Sequence, residues 1–334
     1  MSADLEQVTT PQPFTDSSGL VDQPDRLRDN LEKDGYLFLP GLLPRDAITS
    51  VFNDFANILV EAGVASREGE EQQLKPACRP FREGDADYFS VHDQLYKVEA
   101  FHALAHHADL LRVMEIIQGP GCFPHPLSII RMVFPEHTPA TTPPHQDFPN
   151  NQGSTKLTAA WIPLMACPAE LGPLRVLQGS HRLGVLPLQY HLGPGNRAAK
   201  LPESASALAW HCSDFAVGDV LLFGAMTVHA ACHNLKPDWL RLSVDFRFQP
   251  AGEPLTPICL SPHFERLSWD DVYRGWSSDR LKYYWQKNKY VTVDWDESLH
   301  ALSDEDAEEG LRMALEYAAH RGELTIDLSE KRKG

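Results

Sequence analysis

From about residue 123 the sequence stops repeating at helical intervals. SIIRMVF, TAAWIPLM, LRVLQ, DVLLFGA and LRLSVDFRFQ follow as short apolar or alternating runs, parted by Gly, Pro and Asn. Runs of this length suit strands, and their punctuation suits turns. Their irregular spacing is that of a double-sheet jelly roll. Helical patterns lie on both sides of this region. PDRLRDNLEKDG (24–35) puts Leu27 and Leu31 on one face and offers Gly35 as a left-handed stop. YLFLPGLL then reads as a buried strand and turn. RDAITSVFNDFANILVEAG (45–63) spaces Val51, Phe52, Phe55, Ile58 and Leu59 helically, and 98–118 reads as one or two helices ending near Gly119-Pro120. After Pro250 the aromatic-rich SWDDVYRGWSSDRLKYYWQ returns to a helical pattern. Ser303 and Asp306 form a capping box for a last helix ending at Gly322. The expectation is an α+β fold with a jelly-roll core, a cupin-like double-stranded β-helix with flanking helices. It divides into a loose arm (1–23), a main domain (24–250) and a helical extension packed on it (251–334).

Composition narrows the function. The chain of 334 residues is 43% hydrophobic and 23% charged, ordinary for a globular protein. A formal net charge of −16 opposes general binding to nucleic acid or anionic lipid. No apolar run approaches the roughly 18–20 residues that cross a bilayer, and the first residues lack the form of a signal peptide. The six cysteines are scattered without a CxxC, which suits reduced thiols and a cytoplasmic setting. The expected partner is a small molecule, not nucleic acid or membrane; no feature fixes an oligomeric state.

The chemistry centres on TPPHQDF (142–148). Its prolines enforce extended backbone, so His145 and Asp147 share one face. Such a pair either holds a metal or is a simple hydrogen-bonded pair. His107-Ala108-Asp109 repeats the spacing inside a helical pattern, where the two side chains diverge, and is set aside. Two histidines and one carboxylate, leaving adjacent positions open, make the facial triad of non-haem Fe(II) oxygenases. A third ligand is offered by His229, which follows the apolar run GDVLLFGAMTV, 84 residues after His145. Its rival, His233, falls where the strand has given way to a loop; the competing view of His229 is a core histidine. In LRLSVDFRFQ, alternation puts Arg241, Ser243, Asp245 and Arg247 on one face. That polar face either lines a pocket or meets solvent. An arginine there suits the distal carboxylate of 2-oxoglutarate, the electron-donating co-substrate of one large class of such iron sites.

In combination these stretches resemble the phytanoyl-CoA dioxygenase family of Fe(II)/2-oxoglutarate-dependent oxygenases. The resemblance spans roughly residues 30–250, through EKDGYLFLPGLL, TPPHQDF, TAAWIPLMACPAELGPLRVLQGSH, GDVLLFGAMTVHAACHN and RLSVDFRFQP. It implies His145, Asp147 and His229 as iron ligands and Arg241 as the 2-oxoglutarate arginine. Trp161 and Ser243 would lie beside the co-substrate, and Asn234 matches the asparagine that follows the distal histidine. Gln178-Gly179-Ser180-His181 matches a turn that has Pro in place of Gln, and Ala231 stands where many members have a hydroxyl. Related halogenases have a small residue at the carboxylate position, so Asp147 favours hydroxylation, desaturation or ring formation. The implied reaction consumes O2 and 2-oxoglutarate, releases succinate and CO2, and oxidises an aliphatic C–H bond of a small molecule, a natural product in preference to an acyl-CoA. Asp245 and Arg247 extend the polar face toward the substrate or pair with each other. The loop 66–89 and the aromatic segment 264–290 are candidate lids. Two other classes share the ligand set: a zinc hydrolase or isomerase, which gives Arg241 no purpose, and a silent binding module.

Overall fold

A computed structural model describes residues 11–69 and 73–321. The strands that matter for the site are β1 (Tyr36–Leu39), β2 (Phe123–Val133), β3 (Thr158–Pro163), β4 (Leu174–Leu177), β5 (Trp210–His211), β6 (Val220–Gly224), β7 (His229–Ala231) and β8 (Arg241–Gln249). They form an antiparallel five-stranded sheet in the order β1-β6-β3-β8-β2 and a three-stranded sheet in the order β7-β4-β5. Consecutive strands β6 and β7 belong to different sheets, so the chain crosses between layers over residues 225–228. Phe223 and His229 touch across this crossing, their ring centroids 4.2 Å apart. Cross-sheet contacts of this kind are what a jelly roll requires.

β8 shows why the large sheet sits where it does. Its Leu242, Val244, Phe246 and Phe248 are fully buried, and Phe246 packs against Phe101. Each such side chain contributes roughly 1.5–3 kcal/mol relative to exposure. The opposite, polar face is buried too. It therefore lines the interior instead of meeting water.

The helices cover the outer layer. α1 (Pro24–Asp34) starts on a proline at its first position and stops at Gly35, which has φ +78°. A side chain at Gly35 would also collide with His181, so glycine is required twice over. α2 (Arg45–Glu61) buries Val51, Phe52, Phe55 and Leu59 as its spacing predicts. The 98–118 region is two helices, α3 (Glu99–Leu104) and α4 (Ala108–Gln118). The terminal helix α5 (Asp304–His320) is capped by Ser303, with Asp306 N donating to its hydroxyl. Its expected stop at Gly322 lies outside the described residues, as do residues 1–10 of the expected arm.

Three expectations change. Residues 11–17 are not loose: Gln12 bridges to His211, and Phe14 is buried against Tyr36 and Phe38. Loop 66–89 contains a small hairpin, Ala65–Arg67 with Leu74–Pro76, and ends in a helix beginning at Ala86. The aromatic segment 264–290 keeps only one α-helical turn, Trp269–Val272. Gly275 and Tyr283, both at positive φ, break the rest. Trp269, Trp276 and Tyr284 pack on Tyr96, His102 and His106 instead of folding over as a lid. No helix among the described residues is long and apolar enough to cross a membrane.

Several histidines outside the site are held neutral by burial, among them His92, lowered to about 3, and His102 and His125, lowered to about 4. Unfolded, they protonate near 6.5. Their contribution is complete above pH 6.5 and is lost as pH falls toward 3–4, at about 1.4 kcal/mol per pH unit for each. The thermal midpoint should therefore drop clearly between pH 7 and pH 5. An unchanged midpoint over that range would contradict their neutral burial.

Candidate active site

The backbone builds the site before any side chain does. His145 N donates to His229 O (2.9 Å) and His229 N donates to His145 O (3.0 Å), an isolated antiparallel bridge beside β7. The proline-rich segment 142–147 thus lies alongside the small sheet and presents His145 next to His229; their ring centroids are 4.1 Å apart. Asp147 follows on the same face. Its Oδ1 is 3.9 Å from Nε2 of each histidine. Among the described residues these three form the one cluster able to hold a metal ion, with donor atoms within 4.8 Å of one another.

The tautomers suit ligation. His145 Nδ1 donates to Pro143 O (2.8 Å) and His229 Nδ1 to Thr227 O (3.0 Å). With the proton fixed on Nδ1, each Nε2 lone pair faces Asp147. Burial, reinforced by the neighbouring His229, lowers His145 to about 3; burial likewise lowers His229. Both imidazoles are therefore neutral, the form that binds metal. Burial alone would raise the Asp147 carboxyl, but the Arg247 guanidinium beside it outweighs this and holds it well below the usual range. Ligands about 2.1 Å from one ion at right angles lie about 3 Å apart. The separations here, 3.9 Å to Asp147 Oδ1 and none above 4.8 Å, thus need to close by about 1–2 Å, and two neutral imidazoles with one carboxylate fit Fe(II).

Arg241 lies at the other end of the same strand face. It is 1% exposed; Nη1 donates to Ser243 Oγ (2.9 Å), and the guanidinium sits 5.7 Å over the Trp161 ring. Its Nε has no hydrogen-bond partner, and it forms no ion pair, among the described residues. A buried cation with an unfilled donor suits a carboxylate. Trp161 and Ser243 stand beside Arg241.

Asp245 and Arg247 do not pair only with each other, nor does Arg247 reach outward. Arg247 is committed to Asp147, with Nη2 to Oδ1 at 2.9 Å and Nε to Oδ2 at 3.2 Å. Asp245 is buried, which raises its carboxyl, and lies 4.0 Å from Arg131 Nε. Arg131 was missed in the sequence. It opposes Ser243 across the β8–β2 pair, and it ion-pairs with Glu83. A lone arginine inside the apolar run SIIRMVF was the available signal. Arg131 and Glu83 line a cavity with Phe81, Phe134 and Thr142, so the end of loop 66–89 borders the polar face. His233 is turned to Thr141 (3.0 Å), and His107 caps a helix, so neither joins the cluster. Asn234 ties the loop after β7 to the carbonyls of Val133 and Trp239.

Residues 31–241 match the family described as phytanoyl-CoA dioxygenase, well over half of the chain. The chain belongs to that family. It is a non-haem Fe(II)- and 2-oxoglutarate-dependent dioxygenase. Similar curated proteins are the 1-deoxypentalenic acid 11-beta-hydroxylases of Streptomyces exfoliatus and Streptomyces arenae. Each is 26% identical over 251 residues, covering 72% of this chain and 86% of the relative. Among solved structures, the epimerase SnoN in complex with Fe3+, alpha ketoglutarate and nogalamycin RO superposes with a TM-score of 0.52 at 20% identity, covering 71% of this chain and 87% of SnoN. The carbocyclase SnoK gives 0.51 at 18% identity, covering 77% and 94%. At such identity these two speak for the jelly-roll fold alone.

Removing Arg241 (Arg241→Ala) should leave Fe(II) bound and weaken 2-oxoglutarate roughly thirtyfold or more, the equivalent of about 2 kcal/mol for one partner of a buried charge pair. Anaerobic equilibrium titration checks this. Unchanged co-substrate affinity would remove Arg241 from that role.

Proposed function

We propose that this dioxygenase hydroxylates an aliphatic C–H bond of a small natural-product-like molecule, with His145, Asp147 and His229 holding the iron and Arg241 anchoring 2-oxoglutarate. The observation that carries this reading is the convergence of two Nε2 atoms on Asp147 Oδ1, each at 3.9 Å, at one end of a strand face whose other end is the buried Arg241. Fe(II) with bound 2-oxoglutarate and O2 supplies the oxidising power, and the co-substrate leaves as succinate and CO2.

The chain's own residues supply placement. Pro143 O and Thr227 O fix the imidazole rings, so the ligand atoms need no rotamer search. Ser243 holds one arm of the Arg241 fork, and Trp161 forms a flat wall beside it. Phe223, packed on His229, keeps water from that side of the imidazole. The substrate would enter from the cavity bordered by Phe81 and Phe134, where Arg131 and Glu83 offer polar contacts; Arg131 Nε lies 4.0 Å from the buried Asp245. The mixed apolar and polar lining suits a mainly hydrocarbon molecule with one or two oxygen groups. The relatives, named as hydroxylases of 1-deoxypentalenic acid, support a substrate of that kind.

Succinate release screened across a library of terpenoid and polyketide acids, alcohols and lactones tests the reading. The expected result is substrate-dependent succinate with a product heavier by one oxygen atom, and no product from His145→Ala or Asp147→Ala. Turnover of 2-oxoglutarate with no library member oxidised, while an acyl-CoA is, would overturn the substrate class.

A further inference from the structure

Arg247 holds neither metal nor co-substrate in this reading, yet it is bound directly to a metal-ligand residue. Its planar fork grips Asp147 at both oxygens, Nη2 on Oδ1 at 2.9 Å and Nε on Oδ2 at 3.2 Å. The side chains are almost entirely buried, 4% and 2% exposed. The two oxygens are not equivalent. Oδ1 lies 3.9 Å from both histidine Nε2 atoms and also accepts the shorter Arg247 bond, from Nη2, whereas Oδ2 is held by Arg247 Nε.

A carboxylate can meet a cation through one oxygen or through both. Two-oxygen ligation would occupy a coordination position that 2-oxoglutarate or O2 needs, since a facial triad works by leaving three positions vacant. We propose that Arg247 is a positioning residue: it retains Oδ2, limits Asp147 to one-oxygen ligation, and so keeps those positions open. This rests on the reading of His145, Asp147 and His229 as the iron ligands.

Arginine is suited to the task. Its donors lie in one rigid plane and can hold two oxygens at fixed separation, which a lysine ammonium cannot do. Arg247 is itself well anchored. It sits on β8 opposite Ala159 of β3; on the other side the register against β2 shifts between Phe246 and Phe248. Asp245, two residues earlier on the same face, is a further counter-charge.

The test compares wild type with Arg247→Lys and Arg247→Gln, each also made in an Asp147→Asn background. Fe(II) affinity is measured anaerobically, followed by 2-oxoglutarate affinity and its visible absorption band, with circular dichroism as the check on folding. Both single variants should stay folded, bind Fe(II) about 10–100-fold more weakly, and show a weakened and shifted co-substrate band. In the Asp147→Asn background the effect of Arg247→Gln on Fe(II) affinity should vanish, because Arg247 acts through that carboxylate. Wild-type-like binding and spectrum in the single variants, or an equal loss in both backgrounds, would overturn the proposal. Should the variants fail to fold, a crystal of the wild type with Co(II) decides: one Asp147 oxygen on the ion with Oδ2 still on Arg247 supports it, and two oxygens on the ion overturn it. Failure of the wild type to bind Fe(II) would instead remove the ligand reading beneath it.

Discussion

Two backbone hydrogen bonds between His145 and His229 hold this site together. They join segments 84 residues apart in the chain, and they do so with main-chain atoms whose geometry no side-chain rotamer can alter. Once the segments are paired, their imidazoles must lie side by side, and Asp147 must follow within reach. Pro143 and Pro144 precede this pairing in TTPPHQDFP and favour extended backbone up to His145; a short helix, Phe148–Asn151, begins only after Asp147. β6 and its four-residue crossing deliver His229 to the same place from the large sheet. The crossing is pinned in turn: Thr227 Oγ1 donates to Gly35 O, and Val228 N donates to Ser180 Oγ.

The electrostatics follow from burial. The interior face of β8 places two arginines and an aspartate out of water, a costly arrangement unless each charge finds a partner. Arg247 has Asp147, and Asp245 has Arg131 nearby, with Glu83 behind it. Arg241 differs, having a serine hydroxyl and the face of the Trp161 ring but no carboxylate among the described residues. The one buried cation left with a neutral partner is thus the one assigned to an anionic co-substrate.

Much of this was legible in the sequence, for identifiable reasons. The change of period near residue 123 announced the strands, since side-chain alternation is local. The same alternation put Arg241, Ser243, Asp245 and Arg247 on one face, and the structure buries that face. Alternation gives a face but not a partner, which is why the Arg247–Asp147 contact, 100 residues apart, went unseen. The 264–290 segment misled for a related reason. Its aromatics sit at helical spacing, but Gly275 and Tyr283 adopt left-handed backbone, and ring packing on His102 and His106 decides their positions. The polar composition of the first residues concealed the buried Phe14, which with the Gln12 bridge to His211 ties residues 11–17 to the core.

The most direct test of the central claim is diffraction from crystals grown anaerobically with Fe(II), recorded on both sides of the iron absorption edge. The account predicts one strong anomalous peak within bonding distance of Nε2 of His145, Nε2 of His229 and Oδ1 of Asp147. A peak ligated by other residues, or none at this position in protein that has demonstrably bound iron, would contradict it.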